Sequence, residues 1–254
     1  MTRYWKIYRE ETRCEWLQRF RTPLQFFAIP LGVALPYIFL VLIFQPDGTG
    51  PLMLVMFGAL GTLNLGLLGL GLTTAQERAQ GWMRLKRATP MPIHLHFAGK
   101  ITVTLLGATL FALALLLVAA WAGHLPANIG ELVRVFVLII LGALAFCALG
   151  LSLAYVGGPN TAQSLIPQAV ILLVALVWLP LLADLPGPLL TAIQALNILS
   201  PLHHFTVLTF GFTGLPALQG GPAWLHALAL LGLTALYTTL AVYLYRRDEG
   251  RTYG

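Results

Sequence analysis

Few side chains in this sequence could do chemistry. His203 and His204 are adjacent, and His124 and His226 are expected on the same side of the apolar segments as that pair, so imidazoles are available for Zn or Cu. Neighbouring residues of a helix point about 100° apart, so the pair alone is a poor chelate, and histidines exposed to water at an interface are the plainer reading. Ser152 and Ser164 stand in apolar stretches with no histidine base assembled beside them, and back-bonding within a helix accounts for them. Neither paired aspartates within an apolar stretch nor a His-Glu-x-x-His helix is present for proteolysis. Gly99-Lys100 has the ending of a phosphate-binding loop, but Ile101 follows where Ser or Thr is needed and His94 stands where glycine is needed. No polar stretch is long enough for a nucleotide-binding domain. The chain is therefore expected to have no catalytic residues, no metal and no cofactor of its own, and saturable ATP binding by the purified chain would overturn that expectation.

Composition says what must position these residues. Of the 254 residues, 58% are hydrophobic and 9% charged, whereas about a quarter of a soluble domain is charged. Continuous apolar runs, without short alternating segments, make this an all-α polytopic membrane protein. Six spans are expected, at 24–44, 52–74, 101–123, 132–156, 164–183 and 224–245, each of about twenty residues or more. A further apolar piece within 184–223, broken by Pro201, reads as a re-entrant or interfacial hairpin between the fifth and sixth spans. Cys14 and Cys147 offer no disulfide framework.

Charge gives the orientation. With both termini inside, 14 of the 15 Lys and Arg residues are cytoplasmic and Arg134 alone is outside, which requires an even number of spans. Residues 1–23 carry six of those cations, with Trp5, Tyr8, Thr12, Trp16 and Phe20 at intervals of three or four. They are expected to form an amphipathic helix in the cytoplasmic headgroup layer, rings at the interface and cations near anionic lipid. Between the interfacial charges no Asp, Glu, Lys or Arg lies inside a span, which argues against a proton-coupled carrier.

The polar groups left in or beside the spans are Asn64, Tyr155, Gln163 and Gln168. They serve either interhelical hydrogen bonds or a substrate path. Gly58, Thr62 and Gly66 form a stripe of small residues that admits another helix, of this chain or of a second copy. Pro30, Pro36, Pro167 and Pro180 permit bends.

The loop at 75–100 is the long polar interruption. Thr74 and Glu77 fit a capping box, unless Thr74 merely continues the second span. Gly81 loosens the helix, and Pro90 and Pro92 stop it again. The result is a short amphipathic elbow expected to present an acid, cations and Trp82 to the cytoplasm. Its plainer reading is a loop whose charges only set topology.

The run Glu77-Arg78-x-x-Gly81-x-x-x-Leu85-x-x-x-Thr89-Pro90-x-Pro92, with Gly99-Lys100 opening the next span, resembles the coupling region of ABC-2 type permeases, the membrane subunits of type-2 ABC exporters. The basic aromatic connecting helix, the six spans and the outer hairpin are similar to that family over most of the chain. The resemblance implies that Glu77, Arg78, Gly81, Trp82, Leu85, Thr89 and Pro90 couple to an ABC ATPase. It implies more loosely that Ser200, Pro201 and His203 lie at an outer gate. Asn64, Thr62, Gly66, Tyr155 and Gln168 are then candidates for the substrate path or for helix packing. The segment Asp184-Leu185-Pro186-Gly187-Pro188 is a shorter outer connection than many members have.

The expectation from sequence is a permease in the plasma (inner) membrane, with N- and C-termini cytoplasmic. It would act as a homodimer, or as a heterodimer with a similar permease, among membrane lipid and with no nucleic acid. A separate ATPase subunit holding ATP and Mg would drive export of a hydrophobic or amphipathic substrate such as a drug, lipid or antimicrobial peptide. The alternative is a non-transporting scaffold or immunity protein that sequesters a lipid or peptide. A passive channel is disfavoured by the lack of charged rings.

Overall fold

The computed structural model describes residues 3–21, 31–40, 50–82, 92–123, 128–182, 185–210 and 221–249. Every regular element among the described residues is helical. They are α1 (Arg3–Arg21), α2 (Leu31–Leu40), α3 (Gly50–Asn64), a π-helical segment (Leu65–Leu72), α4 (Thr73–Ala79), α5 (Ile93–Trp121), α6 (Ile129–Ala154), α7 (Pro159–Leu182), α8 (Gly187–Asn197), α9 (Pro201–Phe210) and α10 (Ala223–Glu249). Among these, five stretches are long and apolar enough to cross a membrane: Leu52–Ala79, Ile93–Trp121, Leu132–Ala154, Pro159–Pro180 and Ala223–Asp248. Of the expected first span, residues 31–40 form an apolar helix and the remainder lies outside the described residues.

The second expected span does not end at Thr74. It runs on as one helix from α3 through the π segment to Ala79, so Thr74 caps nothing and Glu77 and Arg78 are helical. Gly81 then takes φ +76, a left-handed conformation that glycine adopts at no steric cost and that closes the helix. α5 likewise starts at Ile93, eight residues before the expected span, which puts His96 and Lys100 on its first turns.

The centre of the bundle is the crossing of the π segment over α6. A Cβ on Gly66 would lie 2.5 Å from the backbone of Phe146, and one on Gly150 would lie 2.3 Å from the carbonyl oxygen of Gly66. Only two glycine faces allow that approach. The small stripe is therefore used inside this chain: Gly66 meets Phe146, and Gly58 faces Leu115 and Ile139. A π-helical turn widens the helix locally, and it sits where the two backbones touch. Phe146 continues the core to Phe205 of α9, ring centroids 6.0 Å apart.

α8 and α9 are two short helices separated by a break at Ile198–Ser200 before Pro201. Protein groups satisfy its freed carbonyls: Tyr237 Oη donates to Leu199 O at 2.7 Å and His204 Nε2 bonds Ile198 O at 3.0 Å. Asn197 Nδ2 ties the end of α8 to Leu176 O of α7 at 3.0 Å. Ser152 and Ser164 bond back to Leu149 O and Thr161 O of their own helices, as their isolation implied.

Candidate functional site

Among the described residues a dense polar cluster joins α1, α4, the start of α5 and the C-terminal ends of α6 and α10. It begins with a ladder between α1 and α5. Glu11 Oε1 lies 2.5 Å from His96 Nδ1, Lys100 Nζ donates to Glu15 at 3.1 Å, and Arg19 Nη2 donates to Thr104 Oγ1 at 3.0 Å. Each rung joins residues 85 positions apart. Rungs one turn apart at constant offset mean that the two helices run in the same direction and in register. Tyr8 Oη and Thr102 Oγ1, 2.7 Å apart, add a contact at the side.

The ladder gives α1 a protein-facing side that the aromatic spacing did not announce. Its inward face is acidic, with Glu15 4% exposed, while Trp5 and Phe20 are about half exposed on the outside. α1 follows α5 for at least two turns through polar contacts, with Tyr8 half-buried against Thr102 and Trp5 and Phe20 on the outside. Burying the acids is tolerated because each meets a cation or an imidazole.

Glu77 and Arg78 are also buried, not presented outward as expected. Adjacent on α4, they point about 100° apart and serve different neighbours. Glu77 Oε1 accepts from Lys100 Nζ at 2.8 Å and from Gln18 Nε2 at 3.5 Å, joining the ladder. Arg78 turns to the other side. Its guanidinium bonds Asp248 Oδ1 of α10 at 2.7 Å, Ala154 O in the last turn of α6, and Gly157 O at 3.2 Å. A cation at the C-terminal end of α6 satisfies carbonyls that have no partner within the helix and complements its dipole. The same guanidinium stands 4.8 Å from the centroid of the Tyr155 ring, which packs with Tyr245 and Phe97.

The other expected residues scatter. Trp82 is 54% exposed just beyond Gly81, while Leu85, Thr89 and Pro90 lie outside the described residues, as does most of the expected elbow block. Thr62 is fully buried and donates to Gly58 O of its own helix at 2.5 Å. Asn64 is half-buried at the start of the π segment, and Gln168 is exposed on α7. Tyr155 is buried beside Arg78 in the charged cluster. Ser200 accepts from the backbone N–H of His203 at 3.4 Å and caps α9, with Pro201 as its first residue. His203, His204 and His226 come together beside it. His204 and His226 are buried, so the water-exposed reading of the histidines does not hold for them, and His124 lies outside the described residues.

Sequence reasoning missed Glu11, Glu15, His96, Lys100 and Asp248 as partners. Their signal was present as two stripes with steps of four: Glu11, Glu15 and Arg19 on one helix, and His96, Lys100 and Thr104 on another. Opposite charge on matched stripes calls for pairing.

Comparison with known proteins agrees with the resemblance read from the coupling motif. The chain is 26% identical over 202 residues to a protein of Bacillus subtilis (strain 168) named "Putative transport permease YvfS", covering 77% of this chain and 76% of that one. It resembles a transport permease. No family model matches the chain. The similarity to a permease accords with a multi-pass membrane protein, as do the five helices long and apolar enough to cross a membrane among the described residues.

Proposed function

We propose that this chain is the permease subunit of an ABC-type exporter, with six spans, both termini in the cytoplasm and the α8–α9 hairpin entering the membrane from outside. A separate ATPase, bound at the coupling loop within 75–100, supplies the energy. Two permease copies, or this one and a similar chain, enclose a path for a hydrophobic or amphipathic molecule. Leucines stay exposed along α5, α7 and α10, and these faces meet lipid or the second permease. The chain's similarity to YvfS supports the transport reading.

The observation that carries the mechanism is the burial of Glu77 and Arg78 in two different ion-paired networks at the end of one helix. A push on the elbow reaches α4 first. Through Lys100 and Glu15 it moves α5 and α1, and through Asp248 and Ala154 O it moves α10 and α6. Glu77 and Arg78 thus couple by position, as a joint behind the contact surface, while Trp82 and the residues after it make the contact. Buried ion pairs suit such a joint because they have discrete, directional arrangements.

The test is a complex of the full chain with the ATPase that co-purifies with it, reconstituted in vesicles. Glu77→Gln should abolish substrate-stimulated ATP hydrolysis and transport while basal hydrolysis, complex formation and membrane insertion stay at wild-type levels. Normal transport by this variant would sink the joint. Failure of any ATPase to co-purify would favour the scaffold or immunity reading instead.

A further inference from the structure

The α8–α9 end of the molecule carries three imidazoles, of which only His203 figures in the expected outer gate. His203 and His204 are on α9 and His226 is on the first turn of α10. One ring nitrogen from each lies within 4.8 Å of the others. The ring centroids form a near-regular triangle, with separations of 5.1, 5.3 and 5.8 Å. Three imidazoles on one tetrahedral Zn, with Zn–N of 2.0–2.1 Å, have centroids roughly 5.2 Å apart. Adjacent histidines alone would chelate poorly; the third, from another helix, stands 5.8 and 5.1 Å from the two α9 rings and completes the triangle.

Hydrogen bonding fixes which atoms face inward. The carbonyl of Ile198 can only accept, so His204 Nε2 carries the hydrogen and Nδ1 holds the lone pair. That lone pair lies 2.9 Å from His226 Nδ1. Without a metal, one hydrogen between these two nitrogens makes an N–H···N bond; with a metal, that hydrogen moves to Nε2 of His226 and both Nδ1 atoms become ligands. A tetrahedral ion needs its ligand nitrogens about 3.3 Å apart, so this gap opens by a few tenths of an ångström. His203 Nδ1 is buried and has no hydrogen-bond partner among the described residues, a costly state for a polar atom. The backbone carbonyl on His204 is the kind of outer partner that orients a metal-binding histidine.

We propose that His203, His204 and His226 form a binding site for a Zn2+ ion that staples the hairpin helix α9 to α10. The donor set is all imidazole with no carboxylate, which suits Zn2+ and not Mg2+ or Ca2+. Three protein ligands leave a fourth position for water or a solute. The site lies far from the ion-paired cluster: His226 and Asp248 stand about 33 Å apart along one continuous helix.

The test uses the full chain purified in detergent, stripped with a chelator and titrated with Co2+ and then Zn2+. One Co2+ per chain with tetrahedral visible bands, bleached by Zn2+, is expected. His204→Ala and His226→Ala should each weaken binding by at least about tenfold, while His94→Ala, on an exposed residue of α5, should not. X-ray absorption on the Zn2+-loaded wild type needs no variant to fold, and should show three imidazoles on the metal. Absence of stoichiometric binding would overturn the site and leave a metal-free imidazole cluster. So would a metal bound by one imidazole and carboxylates, which would place it at Glu11, Glu15 and His96.

Discussion

α10 ends in two very different polar neighbourhoods. At its C-terminal end Asp248 meets Arg78, and beyond them Lys100 sits between Glu77 and Glu15 while His96 meets Glu11. At its N-terminal end His226 meets two more imidazoles, and among the described residues no carboxylate belongs to the cluster. The charged end is stable only as a set, because an ion taken out of water needs its opposite close by. The imidazole end can stay neutral and be buried without counter-charges, and what it then offers is lone pairs. The first arrangement suits the transmission of force, the second the capture of a cation.

The sharpest way to break this contrast is to remove one member of the charged set. Lys100→Met strands Glu15 and Glu77, and should lower stability by about 3–5 kcal/mol in reversible unfolding from detergent micelles. Adding Glu15→Gln and Glu77→Gln should recover part of that loss, since the two stranded acids are gone while Arg19 loses their opposing charge. If the single change is harmless, the cluster is wet and is not a joint.

A smaller effect tests the crossing that holds the two ends at a fixed distance. Gly66→Ala forces a methyl into the Phe146 backbone, and should cost about 1–3 kcal/mol by the same measurement. Gly232→Ala on α10, where a Cβ meets nothing within 4 Å, should be neutral or slightly stabilising. Equal outcomes for the two would remove the close approach of the π segment to α6 from the account.

The smallest expected effect is the pH response of the imidazole end. Burial first, and then His204 and His226, hold His203 down to about 4, and burial also lowers His204. The unfolded chain protonates these rings near pH ~6.5 while the folded chain does not, so it binds more protons than the fold in that range. Their contribution to stability is therefore intact above about pH 6.5 and is lost as pH falls toward 4. Measured with chelator present, thermal stability should drop over this window, and His203→Gln should flatten the drop. A profile unchanged by that substitution would mean that water reaches the ring.

Much of this was readable in one dimension. The runs of apolar residues gave helices long enough for a bilayer, Gly81 marked where α4 stops, Pro201 marked the hairpin break, and the motif from Glu77 to Pro92 pointed to a permease before any relative was compared. Element edges were less legible. Glu77, Arg78 and Lys100 read as loop charges because hydropathy counts a buried, paired ion the same as a solvated one.

Composition and periodicity are properties of neighbours along the chain, and they were enough to dictate helices and their oily faces. Partnership is a property of residues far apart along it. That Glu15 finds Lys100, that Arg78 finds Asp248 170 positions away, and that His226 lies against His204 all depend on how helices are registered against one another. That register is fixed by shape, above all by glycines 66 and 150 allowing two backbones to touch.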